Sequence, residues 1–338
     1  MNHLKKITIV GMGAVGGVFA AHLGKLAPST LQLSAIARGD TLKHLQARGL
    51  TWIDAQGKEH AVPLTATDNP ADLGQQDLVI VSVKGPSLAS IAPTIHALLA
   101  PHTVVLVAMN GVPWWFFDGL QGECAGLKLR SVDPQGWIAQ HIPTSHVLGC
   151  VVHLSAQSPA PGRIEKIKGN HLIIGAPDGV VSARVNDVAS LLKDCDFDIK
   201  VSPQIQHDIW FKLWGNMTMN PVSALTLAPC DLILDDPLVK GFCSAVMREA
   251  QAIGNRMGCV IEQDPEARHA VTRSLGSFKT SMLQDVEAGK TIELDALVGV
   301  VQEIGEHLQL PMPNINALLG LTRLMAQGRG LYPVTSEA

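Results

Sequence analysis

Aromatic residues are scarce in this chain. One tyrosine, seven phenylalanines and six tryptophans are spread over 338 residues, about 4% of the total. That leaves no aromatic ladder on which nucleobases could stack. Charge is sparse too. Charged residues make up 17%, the net charge is -4, and both signs are scattered. No basic run of the kind that tracks a phosphate backbone is present, so nucleic acid is not an expected partner. No apolar run approaches the roughly 20 residues of a membrane span, and no membrane partner is expected. The six cysteines contain no C-x-x-C pair and none stands at metal spacing with a histidine; the 13 histidines include no H-E-x-x-H. No metal site is expected, and the cysteines read as buried free thiols in a reducing compartment.

The first residues imitate a secretory signal. Met1 to Lys6 is mildly basic and Ile7 to Ala21 carries no charge. Gly11, Gly13, Gly16 and Gly17 fall inside that stretch, where they would weaken a signal helix and suit a strand–turn–helix instead. A cytoplasmic protein is expected.

What the chain does have is length and apolar content. At roughly 150 residues per domain it should form about two domains, and 46% hydrophobic residues place it among folded chains. Ile7–Val10 is a short β run ending in glycine, followed by Val15, Val18, Phe19, His22, Leu23 and Leu26 at helical spacing. Residues 31–37 read as a strand, 41–47 as a helix, and 51–64 as a hairpin turning at 55–58. Continuous apolar runs at 78–83 and 103–108 suit parallel strands covered on both faces. Residues 148–156, 163–168, 171–175 and 198–201 read as short strands, with a helix at 183–193. From Gln204 the pattern is helical, at about 204–219, 237–257, 265–287, 292–308 and 313–327. The fold class is therefore α/β: an N-terminal Rossmann-type doubly wound sheet over residues 1–203 and a C-terminal all-helical domain over 204–338. The stretch 111–147 breaks the rhythm. It carries Trp114-Trp115-Phe116-Phe117 and Trp137, and reads either as a specificity segment or as rings that pack the loop onto its own domain or a second subunit.

Gly11-Met12-Gly13-Ala14-Val15-Gly16 is G-x-G-x-x-G, following a strand and opening an amphipathic helix. The first glycine permits the turn, the second lets a pyrophosphate approach the backbone, and the third lets helix pack on strand. Amides at the helix start, those of Ala14 and Val15 included, would hold the anion. An acidic residue at the end of the second strand would mark NAD. This chain has Ala37-Arg38-Gly39 there, and a guanidinium suits a phosphate dianion, so NADP is expected. Asp40, two residues on, could still reach a ribose. Lys84 follows the strand at 78–83 and could add a second positive charge. Asn110, at the end of the next strand, could bond a ribose or the nicotinamide end, or simply form an Asn-Gly turn.

In the second half, Lys212, Asn216 and Asn220 stand four apart before Pro221. On a helix all three project from one face, as an oxo-acid site or as an ordinary polar stripe. At these residues the sequence resembles the ketopantoate reductase (2-dehydropantoate 2-reductase) family. The likeness runs from G-M-G-A-V-G-G (11–17) through A-R-G (37–39), V-S-V-K (81–84) and M-N-G (109–111). It continues through K-L-W-G-N-M-T-M-N-P-V-S-A-L (212–225) to S-M-L-Q-D (281–285) and T-I-E-L-D (291–295). The resemblance implies an NADPH-dependent reductase of a small 2-oxo acid, acting in pantothenate and coenzyme A biosynthesis. It implies Lys212 as the catalytic acid, Glu293 as the acid paired with the lysine or the substrate, and Ser281 on the substrate carboxylate. Asn216 and Asn220 would hold substrate oxygens, and Asn110 would sit near nicotinamide and lysine. Asp285 matches the motif without an assigned role. Two departures are Met109, where the family usually has glutamine, and the longer aromatic segment after Asn110. They leave room for a different branched or aromatic 2-oxo acid. An NADP-binding redox sensor without turnover is a more distant reading, against which Lys212 and Glu293 argue. Apolar faces of the helical domain could form a homodimer.

Overall fold

The computed structural model describes residues 4–26, 31–54 and 56–333. Ala55, expected in the hairpin turn, and Met1–His3 of the signal-like start lie outside these residues. The chain separates into two compact units, residues 1–110 with 136–208, and residues 111–135 with 209–338. Sequence pattern placed a single cut at Pro203. The two units instead exchange residues 111–135, because the rings of that stretch are buried with the helices of the second unit.

The first unit is built on one mixed ten-stranded sheet. Its elements in order are β1 (Lys6–Val10), α1 (Ala14–Leu26), β2 (Gln32–Ile36), α2 (Gly39–Arg48), β3 (Leu50–Ile53), β4 (Glu59–Val62), β5 (Thr65–Thr67), β6 (Leu78–Val81), α3 (Gly85–His96), β7 (Val104–Val107), α4 (Trp137–His141), β8 (Val147–Ala160), β9 (Arg163–Gly175), α5 (Ala183–Asp194) and β10 (Asp198–Val201). Six strands run parallel in the order β5-β2-β1-β6-β7-β8. Counted along the chain, that is the 3-2-1-4-5-6 order of a dinucleotide-binding sheet, which reverses direction of travel at β1. β6 and β7 are apolar on both faces and wholly buried, as parallel strands under helices must be, and β1 is buried from Ile7 onward.

The rest of the sheet departs from a purely parallel plan. β8 and β9 form one long antiparallel hairpin, and β9 also takes β3 and β10 in parallel on its other edge. Sequence pattern divided β9 at Gly169-Asn170. Gly169 has φ +78°, a turn-like conformation, yet the ladder absorbs it as a register shift and the strand continues.

The second unit holds α6 from Ile209 onward, with α7 (Cys230–Asp235), α8 (Pro237–Arg256), α9 (Pro265–Ser274), α10 (Ser281–Glu287), α11 (Val300–His307) and α12 (Pro313–Gly328); α6 as a whole spans Ile205–Thr226. The helix expected over 265–287 is two helices. Gly276, at φ +78°, ends the first turn of the break, and Thr280 caps α10 by accepting from the amide of Leu283 at 3.2 Å. α6 passes through Pro221 rather than stopping before it. Proline removes one ladder bond there, a cost offset by burial of Met219, Val222 and Ala224 around the break. Trp114, Trp115, Phe116 and Phe117 are all buried, and Phe116 packs on Phe117 and Trp210 with centroids 5.0 and 6.4 Å away. All six cysteines are buried thiols in no disulfide, and desolvation pushes the thiols of Cys230, Cys243 and Cys259 up to about 12. Among the described residues no helix is long and apolar enough to cross a membrane.

Candidate active site

The sequence-predicted residues fall into two groups, one in each unit. In the first unit, every candidate follows a strand at its carboxyl end. The glycine loop follows β1, Arg38 follows β2, Lys84 follows β6, and Asn110 follows β7. These four strands are neighbours in the sheet and flank the reversal at β1, the position where open α/β sheets bind ligands.

The glycine loop is built for close approach. Gly11 has φ +102°, and a Cβ there would lie 2.7 Å from the amide nitrogen of Val83. A Cβ on Gly16 would collide with the Gly11 carbonyl and the Ser82 hydroxyl, which itself donates to that carbonyl at 2.8 Å. Gly13 is the opposite case, with nothing within 4 Å of where its Cβ would stand. Ala14 and Val15 open α1, so their amides belong to the unsatisfied first turn. A tight turn behind, an open side in front and free helix amides fit a pyrophosphate.

Arg38 is exposed and N-terminal to α2, where its side chain makes no capping bond. Asp40, the residue that could have favoured NAD, pairs with Lys43 at 3.2 Å. The β2 end therefore offers an exposed guanidinium, which fits a 2′-phosphate. Lys84 is half-buried at the N-cap of α3.

In the second unit, Lys212, Asn216 and Asn220 occupy one stripe of α6, as the spacing requires. The opposite face carries Trp210, Trp214 and Met217, each fully buried, and Trp214 Nε1 donates to the carbonyl of Met247 at 2.7 Å. Lys212 and Asn216 are half-buried and Asn220 is buried. Ser281 is the exposed first residue of α10. Glu293 is half-buried and stands one residue before the helical turns that lead into α11. Asp285 lies on α10.

Residues 7–179 match the family model "Ketopantoate reductase PanE/ApbA", and residues 204–326 match its C-terminal counterpart. A 2-dehydropantoate 2-reductase of Mesorhizobium japonicum is 41% identical over 97% of this chain and 99% of that protein. The chain belongs to the ketopantoate reductase family. A protein of Ralstonia solanacearum MolK2 assigned as a ketopantoate reductase superposes with a TM-score of 0.93 at 55% identity, covering 97% of this chain and 100% of that one. A dimeric ketopantoate reductase from Staphylococcus aureus shares the fold with a TM-score of 0.75 at 20% identity, covering 96% of this chain and 100% of that one.

Three features near the candidate residues were not legible in the sequence. Arg268 of α9 lays its guanidinium over Gly215, where a Cβ would come within 2.6 Å of Nε, and sits 5.6 Å from the Phe211 ring centroid. Burial lowers its pKa by desolvation, and Nε has no hydrogen-bond partner among the described residues. Gly215 lies between Lys212 and Asn216, so this cation flanks their stripe. Second, the segment after Glu293 is a π-turn, Asp295–Gly299. Its Ala296 carbonyl accepts from the amide of Val112 at 3.0 Å, beside Gly111 at φ +86°. Third, Asp295 accepts from Tyr332. The aromatic segment, by contrast, divides. Trp114–Phe117 are core of the helical unit, while Trp137 is 44% exposed in the sheet unit and donates to Ala89 at 3.2 Å.

Proposed function

We propose that this ketopantoate reductase reduces 2-dehydropantoate to pantoate with NADPH. The observation that carries the reading is the Lys212–Asn216–Asn220 stripe on α6, in a chain matched to the family along nearly its whole length. NADPH, when bound, supplies the hydride. Gly11, Gly13, Ala14, Val15 and Gly16 would hold its pyrophosphate, Arg38 its 2′-phosphate with Lys84 as a second cation, and Asn110 its nicotinamide end. Lys212 polarises the C2 carbonyl and donates its proton to that oxygen. Glu293 pairs with the lysine or the substrate. Ser281 takes the substrate carboxylate, and Asn216 and Asn220 take its other oxygens.

The test is NADPH oxidation measured across a panel of 2-oxo acids. 2-Dehydropantoate should give the highest kcat/KM, and a higher value for another branched or aromatic 2-oxo acid would reassign the substrate. Lys212→Ala should lose roughly 10²–10⁴-fold in kcat with its NADPH affinity retained. A largely active variant would move the proton source elsewhere.

We extend the proposal to assembly as a homodimer in the cytoplasm. The Staphylococcus aureus protein is dimeric, and α12 exposes Leu321 and Leu324, 58% and 69% accessible, one turn apart. Sedimentation at assay concentration decides it, a monomer excluding the dimer.

A further inference from the structure

Glu293 is bracketed by bonds from Leu331 and Tyr332, just beyond α12. The carbonyl of Leu331 accepts from the amide of Ile292 at 3.1 Å, on one side of Glu293. On the other side, the Tyr332 hydroxyl donates to Asp295 Oδ1 at 2.6 Å. Leu331 is 4% exposed, and its own amide is tied to the Ala326 carbonyl at 2.8 Å, which anchors the arm to the end of α12. Tyr332 is the only tyrosine in the protein.

Asp295 needs such a partner. It is half-buried at the first residue of the π-turn, and desolvation raises its pKa while the hydrogen bond from Tyr332 opposes that rise. The Tyr332 hydroxyl is raised in turn by burial and by the carboxylate. A π-turn is a strained insertion in a helix and persists where surrounding contacts hold it. Here the next residue, Ala296, also accepts from the amide of Val112 at 3.0 Å. The backbone that carries Glu293 is therefore tied to Leu331 on one flank, to Tyr332 on the other, and to residue 112 just beyond.

We propose that Tyr332 is a positioning residue, which through Asp295 and the Leu331–Ile292 bond holds Glu293 in the orientation the reaction requires. The proposal rests on the reading of Glu293 as the acid that serves Lys212 or the substrate. A displacement of about an ångström at a reacting group can cost on the order of a hundredfold in rate. Loss of one of the two flanking ties should cost part of that.

The test is a double-mutant cycle on the full-length enzyme. Tyr332→Phe keeps the ring and removes the donor. It should lower kcat by roughly tenfold, leave the NADPH dissociation constant unchanged, and alter the kcat–pH profile. In a Glu293→Gln background the same change should add nothing. Asp295→Asn, which can still accept from the hydroxyl, should keep most of the activity, whereas Asp295→Leu should behave like Tyr332→Phe. With a single tyrosine, phenolate absorbance reads the bond directly: ionisation should begin at lower pH in Asp295→Leu than in wild type. If Glu293→Gln is damaged but Tyr332→Phe matches wild type in kcat and pH profile, the clamp is overturned alone. Equal losses from Tyr332→Phe with and without Glu293 also overturn it, as a general structural effect. A fully active Glu293→Gln overturns the underlying role of the acid, and the clamp with it.

Discussion

Two glycines of one loop should fail in different ways when given a methyl group. At Gly13 the added Cβ meets nothing within 4 Å, so Gly13→Ala has no clash to relieve in the cofactor-free protein. Its stability should be unchanged or raised by about 0.4–1 kcal/mol through the less flexible unfolded chain. The methyl would occupy the side a pyrophosphate must approach. Losing one charge-assisted contact there is worth about 1.5–3 kcal/mol, or roughly ten- to over a hundredfold in affinity. At Gly16 the added atom meets the Gly11 carbonyl and the Ser82 hydroxyl. The carbonyl belongs to backbone at φ +102° that is itself packed against Val83 and cannot withdraw. Overpacking of that kind costs about 1–3 kcal/mol, and it falls on the protein without cofactor. The assay is a pair of measurements on each variant: thermal unfolding without nucleotide, and NADPH binding by fluorescence titration. Gly13→Ala should keep its melting temperature and lose affinity; Gly16→Ala should melt lower before any NADPH is added. Wild-type affinity in Gly13→Ala, or wild-type stability in Gly16→Ala, would refute the account of the loop.

Other outcomes follow from single contacts. Arg38→Ala should weaken NADPH by roughly tenfold or more, the scale of a lost charge-assisted hydrogen bond, and leave NADH unaffected; equal weakening of both cofactors would remove the 2′-phosphate assignment. Trp114→Ala, at a site only 2% exposed, should destabilise by about 3–5 kcal/mol without reordering the 2-oxo acids, and a changed ranking would return that ring to the substrate. His269 is buried against Ser244 at 3.0 Å, and burial lowers its pKa from 6.5. Its folded pKa lies below its unfolded one, so the stability it allows is complete above about 6.5 and is lost as pH falls through that value. Thermal unfolding at pH 7.5 and 5.5 should therefore show a smaller acid loss in His269→Gln than in wild type.

Much of the fold could be read from local pattern. The glycine loop, the buried parallel strands and the α6 stripe are each a matter of neighbours within a few residues. Turn chemistry and a helical or alternating period encode them directly. Misreadings came where a local signal was overruled by packing. Gly169 looks like a turn and lies within a strand; Pro221 looks like a helix end and lies within a helix; for Trp114–Phe117, where the sequence left packing and pocket lining both open, the rings are core.

The sequence by itself determined the dinucleotide loop, the cation at the end of β2 and the lysine–asparagine stripe, because each depends only on spacing along one element. Tertiary structure alone decided which unit takes residues 111–135, why residue 215 has no side chain, and what partner Asp295 takes beside Glu293. Each of those depends on a partner far along the chain: Trp210 for Phe116, Arg268 for Gly215, Tyr332 for Asp295. No period or turn rule links such pairs. They meet only when the helices have packed, so the burial that lets a guanidinium rest on a glycine or a lone tyrosine hold a carboxylate exists nowhere in the linear pattern.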